Sequence, residues 1–161
     1  MHDFYINNAK IDWSVISEDS YLRKIHSIAK IQKLTFEKPV TIFSGENGSG
    51  KSTLLEAIAK NYGFNAEGGT VNLNFETYND TSELDQAITL AKGGMIRSGY
   101  FLRAESFYNV ATEYENLEPN GRGEKLAGYH AMSHGESFIA YITHIRPQLV
   151  NKTPQDRKSV V

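Results

Sequence analysis

Gly45-Glu46-Asn47-Gly48-Ser49-Gly50-Lys51-Ser52-Thr53 decides how this chain is read. The stretch matches G-x-x-x-x-G-K-[ST], the loop whose backbone N–H groups cradle phosphates. What flanks it fits that chemistry. Pro39-Val40-Thr41-Ile42-Phe43 is a short apolar, β-branched run and predicts a strand leading into the glycines. Leu54-Leu55-Glu56-Ala57-Ile58-Ala59-Lys60 combines strong helix formers with apolar spacing of three and four, and predicts a helix leading out. Strand, glycine loop and helix bring the loop amides and the positive helix end together on one anion. Gly45, Gly48 and Gly50 let the backbone curl without Cβ clashes. Lys51 is the candidate catalytic charge between the β- and γ-phosphates, and Ser52 offers its hydroxyl to Mg²⁺. The expected nucleotide-binding set therefore runs through Gly45, Glu46, Asn47, Gly48, Ser49, Gly50, Lys51, Ser52 and Thr53, with ATP and Mg²⁺ as the implied ligands.

Composition narrows the class. The chain has 161 residues, 40% hydrophobic and 22% charged, which suits one globular domain with a core of its own. A formal net charge of −2 gives no basic footprint for nucleic acid. There is no cysteine, so disulfides and thiolate metal sites are excluded. No apolar run is long enough to span a bilayer, and Met1-His2-Asp3-Phe4-Tyr5 lacks the features of a signal peptide. A cytoplasmic location without a membrane partner is the expectation.

Upstream of the loop, Ile11–Ile16 alternates weakly as a candidate strand, and Ile28–Phe36 is a better one before Lys38-Pro39 interrupts it. Downstream, Asn61–Gly69 is rich in turn residues, and Thr70–Phe75 alternates with period two. Glu83–Lys92 places apolar residues at 84, 87, 88 and 91. That is helical spacing, although a strand extension is also compatible; the expectation is a short helix closed by Gly93-Gly94. Ser98–Ala104 predicts a strand, and Glu105–Glu118 predicts an amphipathic helix with Phe107, Val110, Ala111 and Tyr114 on one face.

A second motif lies at Ser133-His134-Gly135-Glu136, where Ser133 and Glu136 form a capping box opening a helix to about Ile145. Arg146-Pro147 ends that helix. A serine hydroxyl, a glycine backbone and a helix N-terminus make a second anion site. This stretch resembles the signature motif of ATP-binding-cassette ATPases. More closely, GENGSGKSTLLEAIA, GFNAEGGT, GYFLRAESFYNVAT and SHGESF, in this order, resemble a bacterial family of small cassette-type or AAA-family ATPases over roughly residues 21–140. The resemblance implies an α/β fold: a P-loop NTPase core of the ATP-binding-cassette type with an antiparallel β portion. It also implies a stand-alone ATPase that hydrolyses ATP between two protomers. Ser133, His134, Gly135 and Glu136 of one protomer would close on the γ-phosphate held by the other's P-loop, making a homodimer.

By the same resemblance Arg103-Ala104-Glu105 stands near the position of the family's Q-loop glutamine. No glutamine is here, and Glu105 is a candidate replacement because a carboxylate suits Mg²⁺; it equally reads as a first-turn helix carboxylate. Tyr21 and Arg23 are candidates to face adenine. His130 and His134, four apart, are not read as a metal pair, since no third ligand is evident.

The family pattern continues into an apolar strand ending in Asp and a catalytic Glu, which this chain lacks. No Glu follows Glu136, and Lys152-Thr153-Pro154-Gln155 before Asp156 is unsuited to a buried strand. The expectation is therefore an incomplete ATPase domain over residues 1–150 and a non-native or disordered tail over 151–161. Its last six residues, Asp156–Val161, match one reading frame of a common sequencing adapter. Two alternatives stay open: a P-loop phosphotransferase, and a fragment that binds nucleotide without turning it over.

Overall fold

Ile6–Ile11 forms the first strand, β1, and it organises a small antiparallel sheet. The computed structural model describes residues 4–71, 82–94 and 99–103, together with residues 136, 139, 140 and 143. The strand lies earlier than the Ile11–Ile16 alternation predicts. Asp12 explains the shift: its Oδ1 accepts from Ser14 N at 3.0 Å and from Ser14 Oγ at 2.6 Å, turning the chain where the strand was expected. Asn7 and Asn8 are poor strand formers, so β1 carries little signal of its own. Ala9 and Ile11 are buried in the core and hold it in register.

After the turn come two short helices, α1 (Tyr21–Lys24) and α2 (His26–Ala29), then strand β2 (Lys33–Thr35). The predicted strand Ile28–Phe36 is thus divided. Its first residues are helical because Ile28 is drawn into the core at 1% exposure, which leaves only the second half to pair. The phosphate-loop helix, α3, spans Lys51–Tyr62 and ends at Gly63 in the left-handed conformation. Strand β3 (Gly69–Thr70) pairs with β5 (Tyr100–Phe101). Between them, the helix expected over Glu83–Lys92 holds only for its first half, and the second half is a strand. Helix α4 covers Glu83–Ala87, opened by a Ser82–Asp85 capping box, and strand β4 covers Ile88–Lys92.

The larger sheet has the order β2-β1-β4, both pairs antiparallel, with Ala9 opposite Leu34 on one side and Leu90 on the other. This is the antiparallel β portion expected from the sequence. Helix α3 packs its 54, 57, 58 face into a core shared with Leu22, Ile28, Leu84 and Ile88. Polar contacts fasten the far end of α3. Lys60 pairs with Asp85, Asn61 Nδ2 donates to Ile88 O at 2.8 Å, and Tyr62 OH donates to Gly94 O at 2.6 Å.

Pro39–Phe43 is not a strand. No hydrogen bond joins residues 37–44 to the rest of the described residues, and Val40 and Ile42 are 70% and 83% exposed. A strand is defined by its ladder, and among the described residues no neighbouring strand supplies one. The segment instead forms one wall of an apolar cavity of about 330 Å³, faced by Phe36, Leu55, Phe64 and Phe101. The expectations for the 105–118 helix and the 151–161 tail lie outside the described residues. At the second motif's helix, Glu136, Ile139, Ala140 and Thr143 are helical.

Gly93 seals the end of the β1–β4 pair, its N–H donating to Tyr5 O at 3.0 Å. A Cβ there would stand 2.1 Å from the Phe4 carbonyl oxygen, a backbone atom. Gly93→Ala is therefore expected to lower stability by about 1–3 kcal/mol, the usual range for overpacking. Gly94→Ala, whose Cβ would meet only Tyr5 Cδ1 at 3.9 Å, should be close to neutral. Urea midpoints of the two variants check this, and equal midpoints would contradict the packing at Gly93.

Candidate functional site

The phosphate loop is built from Gly45 to Gly50 and closes onto the first turn of α3. A turn bond from Ser49 N to Glu46 O at 3.2 Å curls its middle. Gly48 and Gly50 take φ of +80° and +82°, the left-handed region that other residues enter only at a cost. Gly50 is also the residue that starts the helix: its carbonyl accepts from Leu54 N at 3.0 Å.

Lys51 folds back over the loop. Its Nζ donates to Gly45 O at 2.8 Å, to Glu46 O at 2.7 Å and to Ser49 Oγ at 3.3 Å. The ammonium thus sits inside the curl formed by residues 45–49. No described group accepts from the N–H of Gly50, Lys51, Ser52 or Thr53. These are the orphan donors of a twelve-residue helix, gathered beside a fixed positive charge. Ser52 is exposed in the first turn. The sequence-predicted set Gly45–Thr53 is therefore brought together as one site. What these residues can offer an anion is a set of unbonded N–H groups, one point charge and one hydroxyl.

Other candidates distribute differently. Arg23 is engaged within the chain: its guanidinium donates to the carbonyls of Trp13, Ile16 and Ser17 at 2.8–2.9 Å and lies over the Trp13 ring. Tyr21 remains exposed on the same short helix. Arg103 Nη1 pairs with Glu56 Oε2 at 2.9 Å and donates to Ala66 O at 3.1 Å, so the end of β5 is tied to α3 one turn beyond Ser52. Glu105, Ser133, His134 and Gly135 lie outside the described residues; Glu136 is helical and exposed. No cluster of three or more His, Asp or Glu side chains with metal-ligand geometry occurs among the described residues. None of their helices is long and apolar enough to cross a membrane.

One contact had no signal in the sequence. Ser27 Oγ, on α2, donates to Ser49 O in the loop, 22 residues away. Beside it, Ile25 and Ile28 press on Gly50, where a Cβ would come within 2.5 Å of Ile28 Cδ1. A lone serine at this distance from a glycine loop has no pattern by which to be found.

Comparison with known proteins agrees with this geometry. The AAA domain family matches residues 21–115, more than half of the chain. A retron Vc95 probable ATPase from Vibrio cholerae serotype O1 biovar El Tor is 47% identical over 55 residues, which is 34% of this chain and 10% of that protein. The chain thus spans about a tenth of the length of that relative. No solved structure matches.

Proposed function

This chain belongs to the AAA domain family, and on that premise we propose that it binds ATP with Mg²⁺ as part of a cassette-type ATPase working as a dimer. It is a P-loop ATPase domain; the cassette mechanism is the part proposed. The observation that carries the reading is Lys51, held inside the loop by the Gly45 and Glu46 carbonyls beside four unbonded amide donors. In ATP the β-phosphate would take those amides, and Lys51 would exchange its carbonyl partners for β- and γ-phosphate oxygens.

The residues present fit a magnesium ion. Mg²⁺ needs few protein ligands, because phosphate oxygens and water complete its octahedron. The exposed Ser52 hydroxyl, next to Lys51, is the group to hold it. When bound, the ion neutralises charge on the phosphates during transfer. Glu105 follows Arg103 by two residues, and the Arg103–Glu56 pair anchors that chain end beside α3; this supports Glu105 as a group near the metal. Ser133, His134, Gly135 and Glu136 are proposed to close over the ATP of a second protomer.

The dimer reading has a direct test. Ser133→Arg should leave nucleotide binding by the monomer unchanged and weaken ATP-driven dimerisation about tenfold or more, since a bulky side chain fills an anion site built on a small one. Light scattering with and without Mg·ATP measures it. Equal dimerisation of the variant and the unsubstituted chain would remove the cassette reading and leave the ATP site standing.

A further inference from the structure

Ser49 and Gly50 share one peptide plane, and in a trans peptide the C=O and the N–H point in opposite directions. The Ser49 carbonyl is aimed at α2, where the Ser27 hydroxyl donates to it. The N–H on the other side of that plane belongs to Gly50, and no described group accepts from it. Holding the carbonyl outward therefore holds the Gly50 N–H turned away from α2, toward the interior of the loop. Two apolar contacts make the brace rigid. Ile25 and Ile28 abut Gly50 so closely that an added Cβ would meet Ile28 Cδ1 at 2.5 Å and Ile25 Cγ2 at 3.0 Å. Ile28 is itself fixed in the core at 1% exposure.

We propose that Ser27 is a positioning residue for phosphate binding: it orients the Ser49–Gly50 peptide so that the Gly50 N–H is presented to a phosphate oxygen. This rests on the P-loop reading above. Without the Ser27 hydroxyl, the left-handed Gly50 has enough backbone freedom for the peptide to rotate, turning the carbonyl toward the anion. A carbonyl oxygen facing a phosphate repels it, so the arrangement has to be fixed before the ligand arrives. The Ser27 side chain is exposed, whereas the neighbouring Ile28 is the α2 residue buried in the core, which separates the serine's role from the folding of that helix.

The experiment uses inorganic pyrophosphate and Mg·ADP with the full chain. Ser27→Ala is expected to weaken both by the same factor, about 3- to 10-fold, the worth of one hydrogen bond. Ser27→Thr, which keeps the hydroxyl, should restore affinity to within about twofold. In ¹H–¹⁵N spectra of the unsubstituted chain the Gly50 amide should shift on adding pyrophosphate, and that shift should shrink in Ser27→Ala. A purely structural role would change the melting temperature without singling out this amide. If pyrophosphate binding is lost in Lys51→Ala yet unchanged in Ser27→Ala, the positioning role is wrong and the P-loop reading survives. If the unsubstituted chain binds neither ligand, both fail. Should Ser27→Ala not fold, the Gly50 amide of the unsubstituted chain decides: an unmoved signal at saturating pyrophosphate overturns the proposal.

Discussion

Gly50→Ala is expected to lose nucleotide binding and to destabilise the chain by about 2–5 kcal/mol. Two separate costs combine. The residue sits at φ +82°, ψ +11°, where a Cβ costs about 1–2 kcal/mol in backbone strain. That Cβ would then lie 2.5 Å from Ile28 Cδ1 and 2.9 Å from Ile28 Cγ1, and filling an occupied core costs about 1–3 kcal/mol more. Relief requires Ile28 to move, but it is buried, or the loop to move, which spoils the amides. Binding should fall by at least about tenfold, since each N–H bond to a charged phosphate contributes roughly 1.5–3 kcal/mol. Gly50→Val extends the same clash with a branched Cβ and should abolish binding altogether.

Two controls separate the terms. Gly48→Ala has nearly the same φ but no atom within 4 Å of its Cβ, so it should show the strain alone, about 1–2 kcal/mol. Adding Ile28→Val to Gly50→Ala removes the offending Cδ1 and should recover about 1 kcal/mol relative to the sum of the single changes. Strict additivity in urea denaturation would show that Ile28 does not press on the loop.

Lys51→Ala should behave in the opposite way, with a large loss of binding and little loss of stability. The ammonium makes charge-assisted bonds to phosphate, each worth about 1.5–3 kcal/mol, which corresponds to roughly 10- to 150-fold in affinity for ATP. In the free chain Lys51 bonds only to loop carbonyls and the Ser49 hydroxyl, all near solvent. Water replaces it there, so the melt should shift by less than about 1 kcal/mol equivalent. Calorimetric titration with ATP and a thermal melt on the same sample measure both quantities. A Lys51→Ala chain that binds ATP as tightly as the unsubstituted one would refute the site itself.

Gly50 and Lys51 thus separate the two roles that the loop combines. One keeps a conformation that only glycine adopts cheaply, and the other supplies charge. Ser27 adds a third, the direction of a peptide.

The phosphate loop and the helix behind it were legible in the residues themselves. Their determinants are local: glycines at fixed spacing, a lysine and serine at the helix start, and an apolar face at 54, 57 and 58 with period near 3.6. The helix–strand ambiguity of Glu83–Lys92 was legible in its apolar spacing at 84, 87, 88 and 91, but the helix expected there fills only the first half and a strand takes the second. What depended on tertiary structure was every feature set by a distant partner. Asn7 and Asn8 join a strand because Ala9 and Ile11 have a core and two neighbouring strands to meet. Ile28 leaves a strand-like pattern for a helix because it is pulled inward beneath Gly50. Pro39–Phe43 has the composition of a strand but no ladder among the described residues, since strand formation depends on a neighbour and not on propensity alone. Ser27 reaches the loop only once the turn at Asp12 and the helices after it have brought α2 there. Short-range geometry is written in neighbouring residues; pairing, burial and the aim of a single carbonyl are decided by which surfaces meet when the chain closes on itself.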